Sequence, residues 1–183
     1  MQTLCRALLI AAIVLPVAPA QRSSPKQQPA VRCGDVTKLD VRNLTIRTAQ
    51  REFAFHNGIA IDFDGYEDRT AGPPKPDWEA EIVGDKVIHP APNVTVRFLV
   101  IHDSHETGSG WQIYLTGFLC EDGKLKEVFH RNGMSLDTDR VDSTAIVVSL
   151  NVVPGKPIRK HYSYTWDVNT SKYVLSATFS TPK

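Results

Sequence analysis

Residues 111–129, WQIYLTGFLCEDGKLKEVF, hold the pattern that decides the fold. The run from Trp111 to Cys120 is apolar on both faces of a strand. Lys124 to Phe129 returns after Glu121-Asp122-Gly123, a turn that places glycine where a positive φ is needed. A strand that is apolar on both faces is typical of a sheet interior, where both surfaces are covered. These residues therefore predict a β-hairpin whose first strand lies in the middle of a sheet.

The flanking sequence repeats short β-branched and aromatic runs, separated by Gly, Pro, Asn and Asp about every ten residues, as in antiparallel sheets. Asn93 to Ile101 alternates apolar and polar residues and is predicted to pair with the central strand, whereas the polar stretch His102 to Gly110 is predicted as a loop. Further strands are predicted at Leu44 to Arg47, Gly58 to Phe63, Trp78 to Val83, Ala145 to Val153, His161 to Asp167 and Tyr173 to Phe179.

About eight to ten strands predict an all-β fold class, a single antiparallel β-rich domain that is sandwich-like. A small β-barrel holding an apolar ligand, in the manner of lipocalins, is the alternative. Two segments, Thr48 to Phe55 and Leu125 to His130, fit a short helix or a strand equally well.

The N-terminal residues predict export. Arg6 precedes the apolar run Ala7 to Val17, and Ala18-Pro19-Ala20 has the small residues of a cleavage site, so residues 1–20 are predicted to be a signal peptide. The apolar run is shorter than the roughly 20 residues of a membrane span. Residues 21–32 are polar and contain proline, which predicts a disordered tether before a domain at 33–183. The mature protein is expected to be secreted or periplasmic, with no membrane partner after cleavage.

Charge and cysteine content narrow the classes of partner and cofactor. The chain has 21 Lys and Arg against 20 Asp and Glu, and removal of the leader with its Arg6 leaves them equal, so a nucleic-acid partner is not expected. The densest basic group is interpreted as a solvated loop; it comprises Lys156, Arg159, Lys160 and His161. Cleavage also removes Cys5, which predicts a disulfide between Cys33 and Cys120. Free thiols or a partial metal site are the alternative, without supporting Cys-x-x-Cys spacing.

An acidic stretch around Gly65 is a candidate cation site. Asp62, Asp64 and Asp68 place carboxylates at short intervals around a turn, the kind of oxygen ligand that calcium prefers. The segment resembles the calcium loops of FG-GAP and VCBS repeat proteins in its Asp-x-Asp-Gly opening and following Asp, although their second glycine and their repetition are missing. That resemblance implies calcium as a possible cofactor. The interpretation favoured for this segment is a strand-ending turn with solvated acids, and no cofactor is expected for the chain.

Histidines supply a second candidate metal site. His102 and His105, with His130 across the hairpin, are predicted zinc ligands, because imidazole nitrogens together with a carboxylate bind this metal. Their spacing lacks the one-turn helical separation of a His-Glu-x-x-His motif. An ordinary polar loop is the alternative.

Alternating aromatic residues near the C-terminus suggest a binding surface. Tyr162, Tyr164 and Trp166 share one face of a predicted strand, and Trp111 follows the Ser109-Gly110 hinge. Flat aromatic rings bind glycans or peptides at low entropic cost, whereas the alternative is that the stripe is the core face of a sheet.

The sequence as a whole predicts a non-enzymatic binding or interaction module whose partner is an extracytoplasmic protein or glycan. No Gly-x-Ser-x-Gly motif supports nucleophilic catalysis. The alternative is a calcium- or zinc-binding module or a metal-dependent hydrolase. The loops from His102 to Gly110 and from Asp62 to Pro76 are the predicted binding surface. Three glycosylation acceptors are predicted for a eukaryotic source, at Asn43, Asn93 and Asn169.

Overall fold

The structure, a computed structural model, describes residues 31–48, 52–62, 78–105, 112–151 and 158–182. These residues are mostly β-strand, preceded by two single 3₁₀ turns at Val36–Lys38 and Val41–Asn43. The strands are β1 (Thr45–Arg47), β2 (Glu52–Ala54), β3 (Ile59–Asp62), β4 (Trp78–Ala91), β5 (Val94–His105), β6 (Gln112–Glu121), β7 (Lys124–Gly133), β8 (Leu136–Val141), β9 (Ile146–Asn151), β10 (Ile158–Asp167) and β11 (Lys172–Pro182). The predicted all-β class is confirmed, with eleven strands in the described ranges.

The strands form antiparallel sheets that pack as a sandwich-like domain. The five-stranded sheet has the order β3-β4-β5-β6-β7, the four-stranded sheet has the order β11-β10-β9-β8, and β1 pairs with β2. Strand β6 lies between β5 and β7, as its two apolar faces predict. The two ambiguous segments contribute the strands β2 and β7.

Both faces of the five-stranded sheet are covered in its middle, because side chains alternate across a strand. Phe98 and Leu115 face the four-stranded sheet, whereas Leu99 and Tyr114 face the N-terminal segment. The inter-sheet core consists of Ile88, Val96, Phe98, Leu115, Leu119, Val128, Phe129, Leu136, Val141, Ile146, Val148, Tyr164 and Tyr173. The N-terminal core consists of Cys33, Val36, Val41, Ile46, Phe53, Phe55, Ala60, Ala80, Leu99, Ile101, Tyr114 and Phe118.

A disulfide attaches the N-terminal segment to the central hairpin. Cys33 is bonded to Cys120 on β6, with their Cα atoms 5.3 Å apart, which confirms the predicted pair. The amide of Cys33 donates to the carbonyl of Gly123 at 2.9 Å, and Arg32 pairs with Lys124. The Leu125 amide donates to the carbonyl of Val31 at 3.3 Å. The last two residues of the predicted tether therefore lie against β7. The rest of that tether and the predicted leader lie outside the described residues.

Arg97 on β5 joins the 3₁₀ turns to the sheet. Its guanidinium bonds the Asp85 carboxylate at 2.8 and 2.6 Å and donates to the carbonyls of Val36 and Leu39 at 3.2 and 2.6 Å. The hydrogen bonds that Arg97 donates to Asp85 raise the pKa of Arg97, against the opposing effect of burial. One side chain thus satisfies the carbonyl of Val36 and gives a second donor to the carbonyl of Leu39, which also accepts from the Val41 amide at 3.0 Å.

Candidate functional site

The outer face of the four-stranded sheet carries a connected set of polar side chains. On β10 the alternation of the strand turns Tyr164 into the inter-sheet core, so that His161 points the other way. The ladder between β8 and β9 shifts register between Thr138 and Arg140, which leaves Asp139 in a bulge. Bulges redirect a side chain, and here Asp139 reaches across β9 to His161.

Four of these side chains form one hydrogen-bonded chain across four strands. Asp139 accepts from the Ser149 hydroxyl at 2.9 Å through Oδ1, and its Oδ2 lies 2.9 Å from His161 Nδ1. His161 Nε2 lies 2.8 Å from Thr181 Oγ1 on β11. We call Asp139, Ser149, His161 and Thr181 the Asp139–His161 cluster. Ser149 is fully buried, and the His161 side chain is 15% exposed.

The chemistry of the partners fixes the tautomer of neutral His161. An ionised carboxylate only accepts hydrogen bonds, so Nδ1 carries the proton that points to Asp139. Nε2 is then an acceptor, and the Thr181 hydroxyl donates to it. The cluster therefore has the order hydroxyl, imidazole, carboxylate, with Ser149 holding the second carboxylate oxygen.

Two further side chains border the cluster. The Phe179 ring is stacked parallel on His161, with centroids 4.7 Å apart and planes at 3°. Arg159 is the cross-strand partner of Thr181 and forms an ion pair with Asp137. Its Nε is buried and has no hydrogen-bond partner in the described part of the chain. A buried donor in this state is uncommon, because it gives up its bond to water without a replacement.

The same sheet ends in β11, which is exposed along most of its length. Val174, Leu175 and Phe179 are 41%, 52% and 48% exposed. Leu175 pairs with Tyr164, so it shares the inward face, whereas Phe179 lies on the outer face with His161. Apolar surface therefore remains open on both faces of this edge.

The edge strands of the two large sheets differ in how well they resist further pairing. Strand β3 has four residues, and the strands β7 and β8 carry several charged side chains each. Strand β11 has eleven residues, and its one charged residue is Lys172, at its first position. Short length and charge are the usual protection of sheet edges, and β11 has neither.

The predicted metal ligands are only partly within the described residues. Asp62 is the last residue of β3, while Asp64 and Asp68 lie outside the described ranges. His102 and His105 belong to β5, so the loop predicted for positions 102–105 is wrong: they pair with β4, and positions 102 and 103 also pair with β6. In the described part of the chain no three His, Cys, Asp or Glu residues gather as a metal site. Both metal sites stay predictions.

One residue of the aromatic stripe, Tyr164, lies in the inter-sheet core. Tyr164 is 4% exposed and meets the Phe129 ring edge to face at 5.0 Å, and Tyr162 and Trp166 are partly buried against the same core. Burial raises the pKa of Tyr164. Trp111, the fourth predicted binding residue, lies outside the described ranges.

Other predicted residues have simple surroundings. The solvated loop predicted for Arg159 and Lys160 is wrong, because both residues lie on β10 between β9 and β11. The predicted acceptors Asn43, Asn93 and Asn169 are exposed. Asn93 has a positive φ of 62° in the turn between β4 and β5, while the Asn43 side chain bonds to Asp40 at 2.8 Å.

A partly buried histidine, His130, lies on the opposite, N-terminal side of the five-stranded sheet. The His130 ring is 5.9 Å from the Tyr114 ring, and its Nδ1 is 3.6 Å from a carboxylate oxygen of Glu127. Burial lowers the pKa of His130, and the positive charge of Arg131 lowers it further. This histidine therefore favours its neutral form in the folded state.

The structure defines the class of this protein as an all-β, sandwich-like domain, and comparison with known proteins adds nothing to that class. No family model, curated protein or solved structure matches the chain. Among the described residues, no helix has the length and apolarity needed to cross a membrane.

Sequence reasoning missed the Asp139–His161 cluster. Its members come from four strands, and Asp139 and His161 are 22 positions apart in the chain. The alternation around Tyr162 and Tyr164 was a usable signal, since it places His161 on the outer face. The bulge that brings Asp139 into reach has no comparable signal, because β8 is polar and short.

Proposed function

We propose that this chain is an exported binding module that accepts an extended segment of an extracytoplasmic protein along β11. The observation that carries the proposal is the exposure of a long, nearly uncharged edge strand with apolar side chains on both faces. A peptide that adds to a sheet edge gains main-chain hydrogen bonds, and pockets for alternate side chains give specificity.

The exposed residues of β11 support strand addition over contact with one face. A strand added beside β11 continues both surfaces of the sheet, so it covers Leu175 on the inward side and Phe179 on the outer side. A partner that lay flat on the outer face would leave Leu175 in water. Exposure of both residues thus favours an occupant in the plane of the sheet.

The occupant is an extended peptide with alternating apolar residues and no central charge or proline. Proline lacks the amide that pairs with the edge, and a charged side chain beside Leu175 would lose hydration without a partner. The outer side tolerates hydroxyl and amide groups, because the Asp139–His161 cluster lies next to Phe179.

Export supports the choice of an extracytoplasmic partner. The signal-peptide pattern of residues 1–20 and the Cys33–Cys120 disulfide are both expected of a protein that folds in an oxidising compartment. The proposal therefore places the module outside the cytoplasm, where it meets secreted or surface proteins.

Selection from a displayed library of random ten-residue peptides tests the proposal. We expect enrichment of peptides with alternating apolar residues, and we expect the variants Leu175→Lys and Phe179→Lys to lose binding at least 10-fold, or about 1.4 kcal/mol. Val168→Lys is the matched control, since Val168 is 67% exposed in the turn beyond the edge. Failure to enrich such peptides, or binding that survives both edge variants, would overturn the proposal.

A further inference from the structure

We propose that Thr181 Oγ1 is the nucleophile of an acyl-transfer site, with His161 as its general base and activated carboxylic esters as the class of substrate. This inference rests on the Asp139–His161 cluster and is independent of peptide binding at β11. The observation behind it is the order of three groups, with the hydroxyl 2.8 Å from Nε2 and the carboxylate 2.9 Å from Nδ1.

The geometry has the parts that activate an alcohol. A hydroxyl is a weak nucleophile until a base accepts its proton, and the acceptor lone pair of Nε2 faces Thr181 Oγ1. As the oxygen attacks, His161 becomes an imidazolium, which the Asp139 carboxylate stabilises through Nδ1. Ser149 holds the other oxygen of Asp139, and Phe179 covers one face of the imidazole. Asp139 and Ser149 are positioning residues.

Arg159 places a hydrogen-bond donor for the reaction's oxyanion next to the nucleophile Thr181. It is paired in register with Thr181, and directly opposed residues of an antiparallel pair have neighbouring side chains on one face. Its buried Nε has a hydrogen atom and no acceptor in the described part of the chain. When Thr181 attacks the ester, the carbonyl oxygen of the ester becomes an oxyanion. This oxyanion is a negatively charged acceptor for the Arg159 Nε hydrogen.

The proposed reaction balances without a cofactor. Thr181 Oγ1 forms a bond to the ester carbonyl carbon, and its proton moves to His161 Nε2. The tetrahedral intermediate then expels the alcohol oxygen and an acyl-threonine remains. The His161 imidazolium gives its proton to a basic leaving group, or to water when the leaving group departs as a stable anion, so Nε2 is free again. Water attacks this second ester and gives a proton to His161, which returns it to Thr181 Oγ1 as the acid is released.

A second histidine–threonine pair in the molecule provides an internal comparison. Thr95 Oγ1 lies 3.2 Å from His89 Nδ1 on the exposed β4–β5 hairpin. This contact is longer than the one at Thr181, and it is made through the other ring nitrogen. We expect Thr95 to stay unmodified under conditions in which Thr181 is acylated.

The test uses the protein as it is after the predicted cleavage, residues 21–183, with p-nitrophenyl acetate as the probe. We expect release of p-nitrophenolate together with an acetyl group on Thr181, located by peptide mass spectrometry. The signal should vanish in Thr181→Val and fall about 100-fold in His161→Gln. Thr178→Val is the matched control, because Thr178 pairs with Tyr162 on the opposite face of β11. Asp139→Asn should reduce the rate of acetylation, because the imidazolium that forms during attack loses its carboxylate partner.

The site of acetylation in the unsubstituted protein decides the question even if a variant does not fold. Acetyl groups that appear on lysines or on Thr95 but not on Thr181 would overturn the inference. So would equal rates of Thr181 acetylation in the wild type and in a folded His161→Gln variant. Because the probe is a small ester, this result is separate from the peptide selection at β11.

Discussion

The Phe98 ring lies directly over the bare Cα of Gly117. The two residues are cross-strand partners on β5 and β6, and a Cβ built on Gly117 would be 2.7 Å from both Cε1 and Cζ of the ring. Phe98 is 2% exposed and packs against Phe129 and Tyr173, so the ring has neighbours on several sides. The glycine in the central strand therefore allows the five-stranded sheet to hold this ring in the inter-sheet core.

Gly117→Ala is predicted to destabilise the domain by about 1–3 kcal/mol, since an added methyl group overpacks a fixed aromatic ring. The measurement is the urea midpoint at constant slope. Gly34→Ala is the control, because nothing lies within 4 Å of its added Cβ, and its effect should stay within about 0.5 kcal/mol. Equal stability of the two variants would contradict the packing described for Phe98.

Loss of the disulfide through a Cys33→Ser and Cys120→Ser double variant is predicted to cost about 4 kcal/mol. The bond joins residues 87 positions apart, and closing so long a loop restricts the unfolded chain strongly. Urea unfolding of the double variant, compared with the oxidised and the reduced wild type, measures this difference. The reduced wild type should be as stable as the double variant. If the double variant were as stable as the oxidised wild type, the stabilising role assigned to the disulfide would be refuted.

Arg97→Lys is predicted to lower the free energy of unfolding by about 1–3 kcal/mol. A lysine cannot bond Asp85 in the bidentate manner of a guanidinium while also serving two carbonyls. Asp85→Asn should cost less, because the bonds to the Val36 and Leu39 carbonyls remain. A larger loss in Asp85→Asn than in Arg97→Lys would show that the ion pair, and not the carbonyl contacts, holds the N-terminal segment.

His130 predicts a fall in stability at mildly acidic pH. Its pKa in the folded state is lowered, whereas the unfolded chain titrates at about 6.5. Below that pH the unfolded state binds a proton that the folded state does not, so the free energy of unfolding decreases until the pH reaches the folded pKa. Unfolding free energies measured from about pH 7.5 to about pH 5.5 should show this decrease in the wild type.

The matched variants are His130→Gln, which should lose that part of the pH dependence, and His56→Gln, which should retain it because His56 is exposed. If His130→Gln keeps the wild-type slope over this pH range, the protonation of another group is responsible.

The sequence predicted the centre of this fold better than its periphery. Two apolar faces around Leu115 and Tyr114 identified a central strand, and Asp122-Gly123 adopts the positive φ angles, 51° and 73°, that its turn requires. Periodicity failed where a polar stretch is nevertheless paired. His102 looked like the start of a loop, yet it lies in β5 between β4 and β6, because neighbouring strands supply its hydrogen bonds.

The polar cluster shows why a site is harder to predict than a core. Apolar burial leaves a local pattern, whereas the contact of Asp139 with His161 depends on strand order, register and one bulge. None of these properties is local to either residue. The stretch at Asp62 and the histidines at 102 and 105 had the more recognisable patterns, and the described residues do not join them into a site.

Hydrogen exchange of the β11 amides with a selected ten-residue peptide bound tests the central claim most directly. A strand that adds to this edge forms new main-chain hydrogen bonds, so exchange should slow between residues 172 and 182. The amides of the charged edge strand β8, residues 136–141, should exchange at the same rate with and without the peptide. Peptide binding that leaves β11 unprotected, or that protects β8 instead, would contradict the claim that β11 is the binding edge.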